Sequence, residues 1–185
     1  MDMEREEIMN QVSTELAQCT LNTLDHQTIS FASLYQDCPT LIFFVRHFGC
    51  IFCRERVASL TEALPLIESH GFKAIVIGNG TSYMAEAFVE ELKLSVSVYT
   101  DQEGQAYTLA GMQRSFGLNL SSVKHAWRSF KSGHRQGKTA GNVWQQGGVL
   151  VVKPGGVILE QKADQTAGDY IDIDALVKRI HVALN

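Results

Sequence analysis

Hydrophobic residues follow two different spacings along this chain. Apolar runs of four to six residues, bounded by turn residues, predict strands that are buried on both faces. Between these runs, apolar residues spaced three and four apart predict helices with one buried face. Alternation around Asp25 and His26 predicts a hairpin over 22–34. The predicted strands are 40–45, 72–77, 96–100, 148–152 and 157–161, and the predicted helices are 4–18, 50–69, 82–92, 105–111 and 173–184.

The order of these elements predicts the fold class. Strands alternate with helices and the chain closes with a hairpin and a helix, which is typical of an α/β sandwich around a mixed sheet. We interpret residues 113–147 as an insertion before the last strand pair and residues 1–19 as an N-terminal helical extension. The length of 185 residues predicts one domain over 1–185, with a core of about 20–185.

The composition is that of a globular protein. Hydrophobic residues make up 45% of the chain and charged residues 19%, which argues against a disordered or fibrous protein. No apolar run reaches the roughly 18 residues of a membrane span, so we expect no stable membrane insertion. The N-terminus is acidic and lacks the apolar segment of a secretory signal. We therefore expect a cytoplasmic protein.

The charge is distributed unevenly. The net charge is −4, yet no acidic residue occurs between Glu103 and Glu160. Seven basic residues lie in that stretch: Arg114, Lys124, Arg128, Lys131, Arg135, Lys138 and Lys153. Such a block indicates an anionic substrate or partner, or else a solvated basic face. Only Trp127 and Phe130 interleave with these charges, so nucleic acid is not expected as a partner.

The strongest chemical signal is the pair Cys50 and Cys53. The pair follows a predicted buried strand and opens a predicted helix, whose N-terminus favours a thiolate through unpaired N–H groups and a partial positive charge. Sulfurs three residues apart lie on one face of the first turn and can form a disulfide. Four basic residues flank the pair and add positive charge: Arg46, His47, Arg54 and Arg56. The pattern predicts a redox dithiol.

The pair has two other interpretations. A zinc site needs two more ligands, and no second C-x-x-C or close Cys-His pair follows in the sequence. Two inert buried thiols are the other alternative. The remaining cysteines, Cys19 and Cys38, have no motif around them. No metal and no organic cofactor is implied.

Residues 44–55 (FVRHFGCIFCRE) resemble thioredoxin-fold proteins, and in particular the peroxiredoxin-like branch of the alkyl hydroperoxide reductase/thiol-specific antioxidant group. Residues 75–78 (IVIG), 99–101 (YTD) and 145–148 (QQGG) are also similar to that branch, as is the insertion around Trp127. The resemblance implies a thioredoxin-like three-layer sandwich with antioxidant peroxidase activity. It also implies a thiol reductant of thioredoxin or glutathione type, and a homodimer.

The sequence departs from the pattern of ordinary peroxiredoxins, Pro-x-x-x-Thr-x-x-Cys. With Cys53 placed at their reactive cysteine, Cys50 takes the Thr position and Arg46 the Pro position. Residues 147–148 are glycines where peroxiredoxins carry an arginine and thioredoxins a cis-proline. Arg46 and Arg114 are the candidates to replace that arginine.

The two alignments name different nucleophiles. Alignment with thioredoxins makes Cys50 the nucleophile, and alignment with peroxiredoxins makes Cys53 the nucleophile. We favour Cys50, because the effect of the helix dipole and the solvent exposure are expected to be greatest at the helix start. Three further residues are candidates near the thiols. His47 could act as a proton donor or charge partner, or be a loop histidine. Arg46 could stabilise a thiolate or bind a substrate carboxylate, or else form a surface ion pair with Glu55 or Asp101. Trp127 could line an apolar cleft or cap a core.

The leading hypothesis is a hydroperoxide reductase that cycles between the Cys50–Cys53 dithiol and disulfide, with a small, anionic hydroperoxide as substrate. The second hypothesis is a protein or glutathione disulfide reductase that uses the same dithiol. The third is a non-catalytic redox-sensing module whose basic block docks a partner.

Overall fold

A computed structural model of the chain describes residues 11–112, 145–164 and 171–184. Seven strands, five α-helices and one 3-10 helix occur in these segments. In chain order they are α1 (Thr14–Gln18), β1 (Thr20–Asn22), β2 (Thr28–Ser30), the 3-10 helix (Phe31–Leu34), β3 (Thr40–Val45), α2 (Ile51–Ser69), β4 (Lys73–Gly78), α3 (Ser82–Leu92), β5 (Ser97–Thr100), α4 (Gln105–Leu109), β6 (Gly148–Val152), β7 (Ile158–Ala163) and α5 (Ile173–Leu184).

The strands form one mixed sheet in the order β2-β1-β5-β4-β3-β6-β7. β3 and β4 are parallel, as are β4 and β5, while β6 runs antiparallel to β3. The antiparallel pairs β1–β2 and β6–β7 lie at the two edges of the sheet. This arrangement confirms the predicted α/β sandwich with a mixed central sheet.

The sheet separates two apolar cores, which explains the continuous apolar run of β3. Leu41 and Phe43 face a core shared with helices α2, α3 and α5. Ile42 and Phe44 face the opposite core, which includes α1, α4 and the 3-10 helix. Every residue of β3 is buried, because a strand that is covered on both faces has no solvated side. The structure is therefore three-layered, as predicted.

Most predicted elements agree with the structure, and the bounds of α3, β6 and α5 agree to the residue. The N-terminal helix predicted over 4–18 agrees only in part: the structure is helical over Thr14–Gln18 but not at 11–13, and residues 4–10 lie outside the described residues. Gln11 forms a bridge with Val157, and the Val12 N–H donates to the Gly156 carbonyl oxygen at 2.9 Å. These contacts hold residues 11–12 extended beside the β6–β7 hairpin.

The predicted insertion at 113–147 lies outside the described residues except for its last three. Of the helices that the structure describes, none combines the length and the apolar character needed to cross a membrane.

Candidate active site

The dithiol lies where β3 passes into α2. Residues 46–50 form the connection, with the Cys50 N–H donating to the His47 carbonyl oxygen at 3.1 Å. Cys50 is the N-cap residue, with extended backbone angles of φ −73° and ψ 123°, and Cys53 lies in the first turn of the helix. The strand and helix thus place both sulfurs at a helix N-terminus, as the sequence predicts.

Both cysteines are free thiols and both are buried, with exposed fractions of 3% for Cys50 and 5% for Cys53. The expectation that Cys50 is the more exposed thiol is therefore wrong. Phe48, which lies in this connection, packs directly on the backbone of Gly78, because a Cβ at Gly78 would overlap the Phe48 ring. A buried dithiol gives access to small substrates more readily than to large ones.

The two thiols ionise very differently. The pKa of Cys50 is lowered to about 6, mainly because it accepts a hydrogen bond from the Cys53 side chain, and further by backbone amides and the charge of Arg46. Burial opposes this effect. The pKa of Cys53 is raised well above its usual value by the same hydrogen bond, by burial and by the charge on Cys50. Cys50 is therefore the thiolate at neutral pH, and Cys53 is the thiol that donates to it.

Arg46 contacts the dithiol through its backbone as well as its charge. Its N–H donates to Cys53 Sγ at 3.3 Å, and its Nε donates to the Gln145 carbonyl oxygen at 3.1 Å. The Gln145 side chain is buried and donates to the Met112 carbonyl oxygen at 2.8 Å. Gln145 thus anchors a half-buried guanidinium close to the thiols.

His47 is buried, with an exposed fraction of 4%, and its Nδ1 has no hydrogen-bond partner. Burial, and secondarily the charge of Arg46, lower its pKa to about 4. The imidazole is therefore neutral at pH 7, which argues against the charge-partner alternative; the roles of proton donor and of loop histidine stay predictions. Its backbone N–H nevertheless lowers the pKa of Cys53.

The other two flanking arginines are engaged by carboxylates. Arg54 Nη2 lies 2.5 Å from Glu91 Oε1, and Arg56 Nη1 lies 2.6 Å from Asp164 Oδ2. Arg46 is the cation that lowers the pKa of Cys50. The expectation that all four basic neighbours favour the thiolate therefore holds for Arg46 alone.

Tyr107 is the neighbour that the sequence did not indicate. It is fully buried in α4, and its hydroxyl lies 2.5 Å from the Val45 carbonyl oxygen and 2.9 Å from that of Ile77. Asp101 accepts hydrogen bonds from backbone amides at the start of α4, including that of Tyr107 at 3.2 Å. No motif surrounds Tyr107, so only the fold reveals that it lies near β3.

The other predicted site residues, Arg114 and Trp127, lie outside the described residues. Within the described segments, no cluster of three or more His, Cys, Asp or Glu side chains could hold a metal ion. The gathered site therefore consists of Cys50, Cys53, Arg46 and His47.

Comparison with known proteins gives one family. Residues 59–165 match the AhpC/TSA antioxidant enzyme family, and this match begins downstream of Cys53. The chain is 27% identical over 172 residues to the prostamide/prostaglandin F synthase of Salmo salar, covering 89% of this chain and 86% of that protein. It is 29% identical over 163 residues to the chloroplastic thioredoxin-like protein AAED1 of Arabidopsis thaliana, covering 81% of this chain and 65% of that protein.

Solved structures share the fold. The bacterioferritin comigratory protein of Xanthomonas campestris, whose structure was described in terms of alkyl peroxide reduction, superposes with a TM-score of 0.68 at 9% identity over 95% of this chain and 98% of that chain. A secreted disulfide oxidoreductase of Mycobacterium tuberculosis superposes with a TM-score of 0.57 at 17% identity, covering 92% of this chain and 99% of that chain. These likenesses confirm the thioredoxin-like fold.

Proposed function

This chain belongs to the AhpC/TSA antioxidant enzyme family and is a thiol-dependent oxidoreductase of peroxiredoxin-like type, and we propose that it reduces hydroperoxides through a Cys50–Cys53 dithiol/disulfide cycle. The observation that supports this cycle is the division of labour between the thiols. Cys50 has a pKa lowered to about 6, whereas Cys53 keeps its proton and donates a hydrogen bond to the Cys50 sulfur.

In the first step the Cys50 thiolate attacks an oxygen of the hydroperoxide ROOH. An S–O bond forms and the O–O bond breaks, so that sulfur is oxidised to sulfenic acid and the peroxide is reduced. The leaving RO⁻ takes a proton from solvent and departs as ROH. Arg46, half-buried beside the thiolate, stabilises the negative charge in this step.

In the second step Cys53 resolves the sulfenic acid. The hydrogen bond to the Cys50 thiolate and the charge of that thiolate are two of the causes that raise the pKa of Cys53. Both disappear once Cys50 carries oxygen, so Cys53 loses its proton more easily. The Cys53 sulfur then attacks the Cys50 sulfur, the S–O bond breaks, and hydroxide leaves with that proton as water. The product is the Cys50–Cys53 disulfide.

Two equivalents of an external thiol return the disulfide to the dithiol and become oxidised to a disulfide themselves. A donor of thioredoxin or glutathione type suits this step, as it does in peroxiredoxin-like proteins generally. A cycle that requires such donors fits a reducing compartment, and we keep the cytoplasm as the proposed location.

The substrate we propose is a small, anionic organic hydroperoxide such as that of a fatty acid. The burial of both thiols favours a slender substrate, and Arg46 favours an anionic one. The basic block, which includes Arg114, and the neighbouring Trp127 are proposed to contribute to substrate binding. The vertebrate relatives are named for prostamide and prostaglandin F synthesis, and these names also favour an oxygenated lipid as the substrate.

Disulfide reduction is the second candidate. The lowered pKa of Cys50 favours disulfide reduction, because the N-terminal thiol of the pair is the attacking group in the alignment with thioredoxins. It is disfavoured by the 3% exposure of Cys50, because exchange requires the attacking sulfur to align with both sulfurs of a bulky disulfide.

The first experiment is to mix the fully reduced protein with one equivalent of hydrogen peroxide, and then of a fatty-acid hydroperoxide. Thiol loss is followed in time and the oxidised cysteines are mapped by peptide mass spectrometry. We expect rapid formation of the Cys50–Cys53 disulfide. Oxidation no faster than that of a free thiol, in wild type, would contradict the peroxidase proposal and favour disulfide exchange or redox-dependent binding.

Serine variants then assign the two roles. Cys50→Ser should abolish the fast reaction, whereas Cys53→Ser should keep it and accumulate sulfenic acid at Cys50, which dimedone traps. Cys38→Ser is the matched control, because Cys38 lies away from the dithiol motif, and it should behave as wild type. Sulfenic acid on Cys53 in Cys50→Ser, formed at the wild-type rate, would reverse the assignment.

The single domain over 1–185 and the homodimer are also proposals. Superposition of the X. campestris protein over 95% of this chain and 98% of that chain supports one domain, and the family resemblance supports the dimer. Limited proteolysis and light scattering of the full chain test the two.

A further inference from the structure

One peptide group lies between Tyr107 and the resolving cysteine. The carbonyl oxygen of Val45 is 2.5 Å from the Tyr107 hydroxyl, and the N–H of Arg46 is 3.3 Å from Cys53 Sγ. The Val45 carbonyl and the Arg46 N–H belong to the same planar peptide unit. A continuous chain of hydrogen bonds therefore runs from the hydroxyl of Tyr107 to the sulfur of Cys53.

We propose that Tyr107 is a positioning residue of the dithiol: its hydroxyl fixes and polarises the Val45–Arg46 peptide, so that the Arg46 N–H stabilises the Cys53 thiolate during resolution. This inference rests on the proposed dithiol cycle and adds to it the residue that assists its second step. It assigns a role to a side chain that touches neither thiol in the hydrogen-bond pattern.

The physical basis is the cooperativity of linked hydrogen bonds. A donor at the carbonyl oxygen draws electron density towards that oxygen and makes the N–H at the other end of the peptide a stronger donor, by about 10–30% for each bond in the chain. The gain is largest for a charged acceptor, because hydrogen bonds to ionised groups are about twice as strong as neutral ones. The Cys53 thiolate is such an acceptor, and it forms only when Cys53 attacks.

The burial of Cys53 increases the importance of the hydrogen bond from the Arg46 N–H. Cys53 is surrounded by protein, and burial is among the causes that raise its pKa; the backbone amides of Arg46 and His47 are the groups that oppose the rise. The charge on Cys53 also acts on Tyr107, whose own pKa is raised well above its usual value, first by burial and then by Cys53 and Asp101. Tyr107 therefore remains a protonated donor throughout the cycle.

The contacts around Tyr107 hold its side chain in one position. Its ring packs edge-on against Phe44 with centroids 5.0 Å apart, and its backbone N–H is held by Asp101. The hydroxyl has one proton, which the shorter contact assigns mainly to Val45; the Ile77 carbonyl oxygen of the neighbouring strand β4 lies 2.9 Å from the same hydroxyl. Tyr107 thus links the ends of β3 and β4 just ahead of the dithiol.

The test compares Tyr107→Phe with Tyr35→Phe. Both changes remove one hydroxyl from a buried tyrosine of the same core, but Tyr35 donates no hydrogen bond towards the dithiol in the described residues. In a Cys50→Ser background, with cysteine Cβ labelled with ¹³C in the full chain, NMR titration gives the pKa of Cys53 without any peroxide chemistry. We expect Tyr107→Phe to raise that pKa by about half a unit or more, and Tyr35→Phe to leave it unchanged.

The same variants are then examined with Cys50 restored. Tyr107→Phe should slow the conversion of sulfenic acid to disulfide by about 3-fold or more while leaving the pH profile of Cys50 oxidation in place. A Cys53 pKa that agrees between Tyr107→Phe and Tyr35→Phe would overturn the inference. If wild type forms no disulfide with peroxide while the titration still shows the shift, the proposed function fails and takes the role of Tyr107 in resolution with it, while the effect of Tyr107 on the ionisation of Cys53 stands.

A second variant tests the inference even where Tyr107→Phe does not fold. Replacement of Tyr107 by 3,5-difluorotyrosine keeps the shape of the side chain and makes its hydroxyl a stronger donor. This change should lower the pKa of Cys53, opposite in sign to Tyr107→Phe. A pKa that stays the same or rises would contradict the proposed polarisation.

Discussion

Arg46 contacts the dithiol through two separate groups: its backbone N–H lies 3.3 Å from Cys53 Sγ, while its guanidinium lowers the pKa of Cys50. A substitution of the side chain removes the second interaction and leaves the first. The roles of charge and backbone at this site can therefore be separated by mutation.

Arg46→Gln should raise the pKa of Cys50, because a positive charge no longer favours the thiolate. For a rise of about one unit from 6, the thiolate fraction at pH 6.5 falls about 3-fold, and the rate of peroxide reduction falls with it. At pH 9 Cys50 is ionised in both proteins, so the rate difference that remains there reports the stabilisation of the attack by Arg46. The control is Arg54→Gln, because Arg54 is paired with Glu91. Coincident pH profiles for Arg46→Gln and wild type would show that this charge has no effect on Cys50.

Cys53→Ala should raise the pKa of Cys50 more than Arg46→Gln does. The hydrogen bond from Cys53 is the largest cause of the lowered value of about 6, and alanine removes that donor. The pH at which iodoacetamide alkylation of Cys50 is half-maximal should therefore move upward, and Cys38→Ala serves as the control. If the midpoint remains near pH 6, the helix N-terminus rather than Cys53 sets the ionisation of Cys50.

The fold was largely predictable because hydrophobic spacing reports burial directly. Continuous apolar runs predicted β3 and β6, which are covered on both faces, and three- and four-residue spacing predicted α3 and α5. The start of α1 was not predictable from spacing, since residues 11–12 follow the helical period. Their contacts with Val157 and Gly156 hold them extended instead. Tertiary pairing overrides a local pattern in this case.

The site was predictable in its chemistry but not in its electrostatics. Spacing alone placed Cys50 and Cys53 at a helix N-terminus. It could not show that Arg54 and Arg56 are paired with Glu91 and Asp164, which lie far away in sequence. Burial, which makes His47 neutral, likewise depends on what packs over it. Tyr107 could not be predicted, because it connects to the site through the backbone carbonyl of Val45, and a sequence does not show which side chain a backbone carbonyl contacts.

Gly147→Ala should destabilise the protein through crowding. A Cβ at this position would overlap the Phe44 carbonyl oxygen and the Asp164 carboxylate, so the end of β3 next to the dithiol must move. We expect a loss of about 2–3 kcal/mol in the free energy of unfolding, measured by urea denaturation. Gly155→Ala is the control: it meets no atom within 4 Å but has φ +87°, and should cost about 1 kcal/mol. Equal losses would assign the effect at 147 to something other than crowding.

The ion pair between Arg56 and Asp164 should behave as a buried pair. Both side chains are largely inaccessible, and Nη1 lies 2.6 Å from Oδ2. Asp164→Ala leaves a buried guanidinium without this carboxylate and should cost about 3–5 kcal/mol. Adding Arg56→Met should recover much of that loss in a double-mutant cycle, because the uncompensated charge is gone. Glu160→Ala is the comparison, since its partner Arg179 is 61% exposed and stays hydrated without it, and should cost much less. Additive losses at Arg56 and Asp164 would contradict the coupling.

His47 should make stability depend on pH between about 4 and 6.5. Its pKa is about 4 in the folded protein and about 6.5 in an unfolded chain. In this window the unfolded state binds a proton that the folded state does not, so the free energy of unfolding rises with pH. The contribution is complete above pH 6.5, is lost as the pH falls towards 4, and amounts to about 3 kcal/mol. Urea denaturation at half-unit pH steps measures it.

The matched variant for this measurement is His47→Gln, which keeps a polar side chain that does not titrate. Asp101, whose pKa is raised by burial, acts in the opposite direction, because its folded state retains a proton above the usual pKa of a carboxyl. The difference between wild type and His47→Gln cancels Asp101 and isolates the histidine. This difference should fall steadily from pH 6.5 to 4 and then level off. A difference that does not vary with pH would show that His47 carries the same charge in the folded and unfolded states.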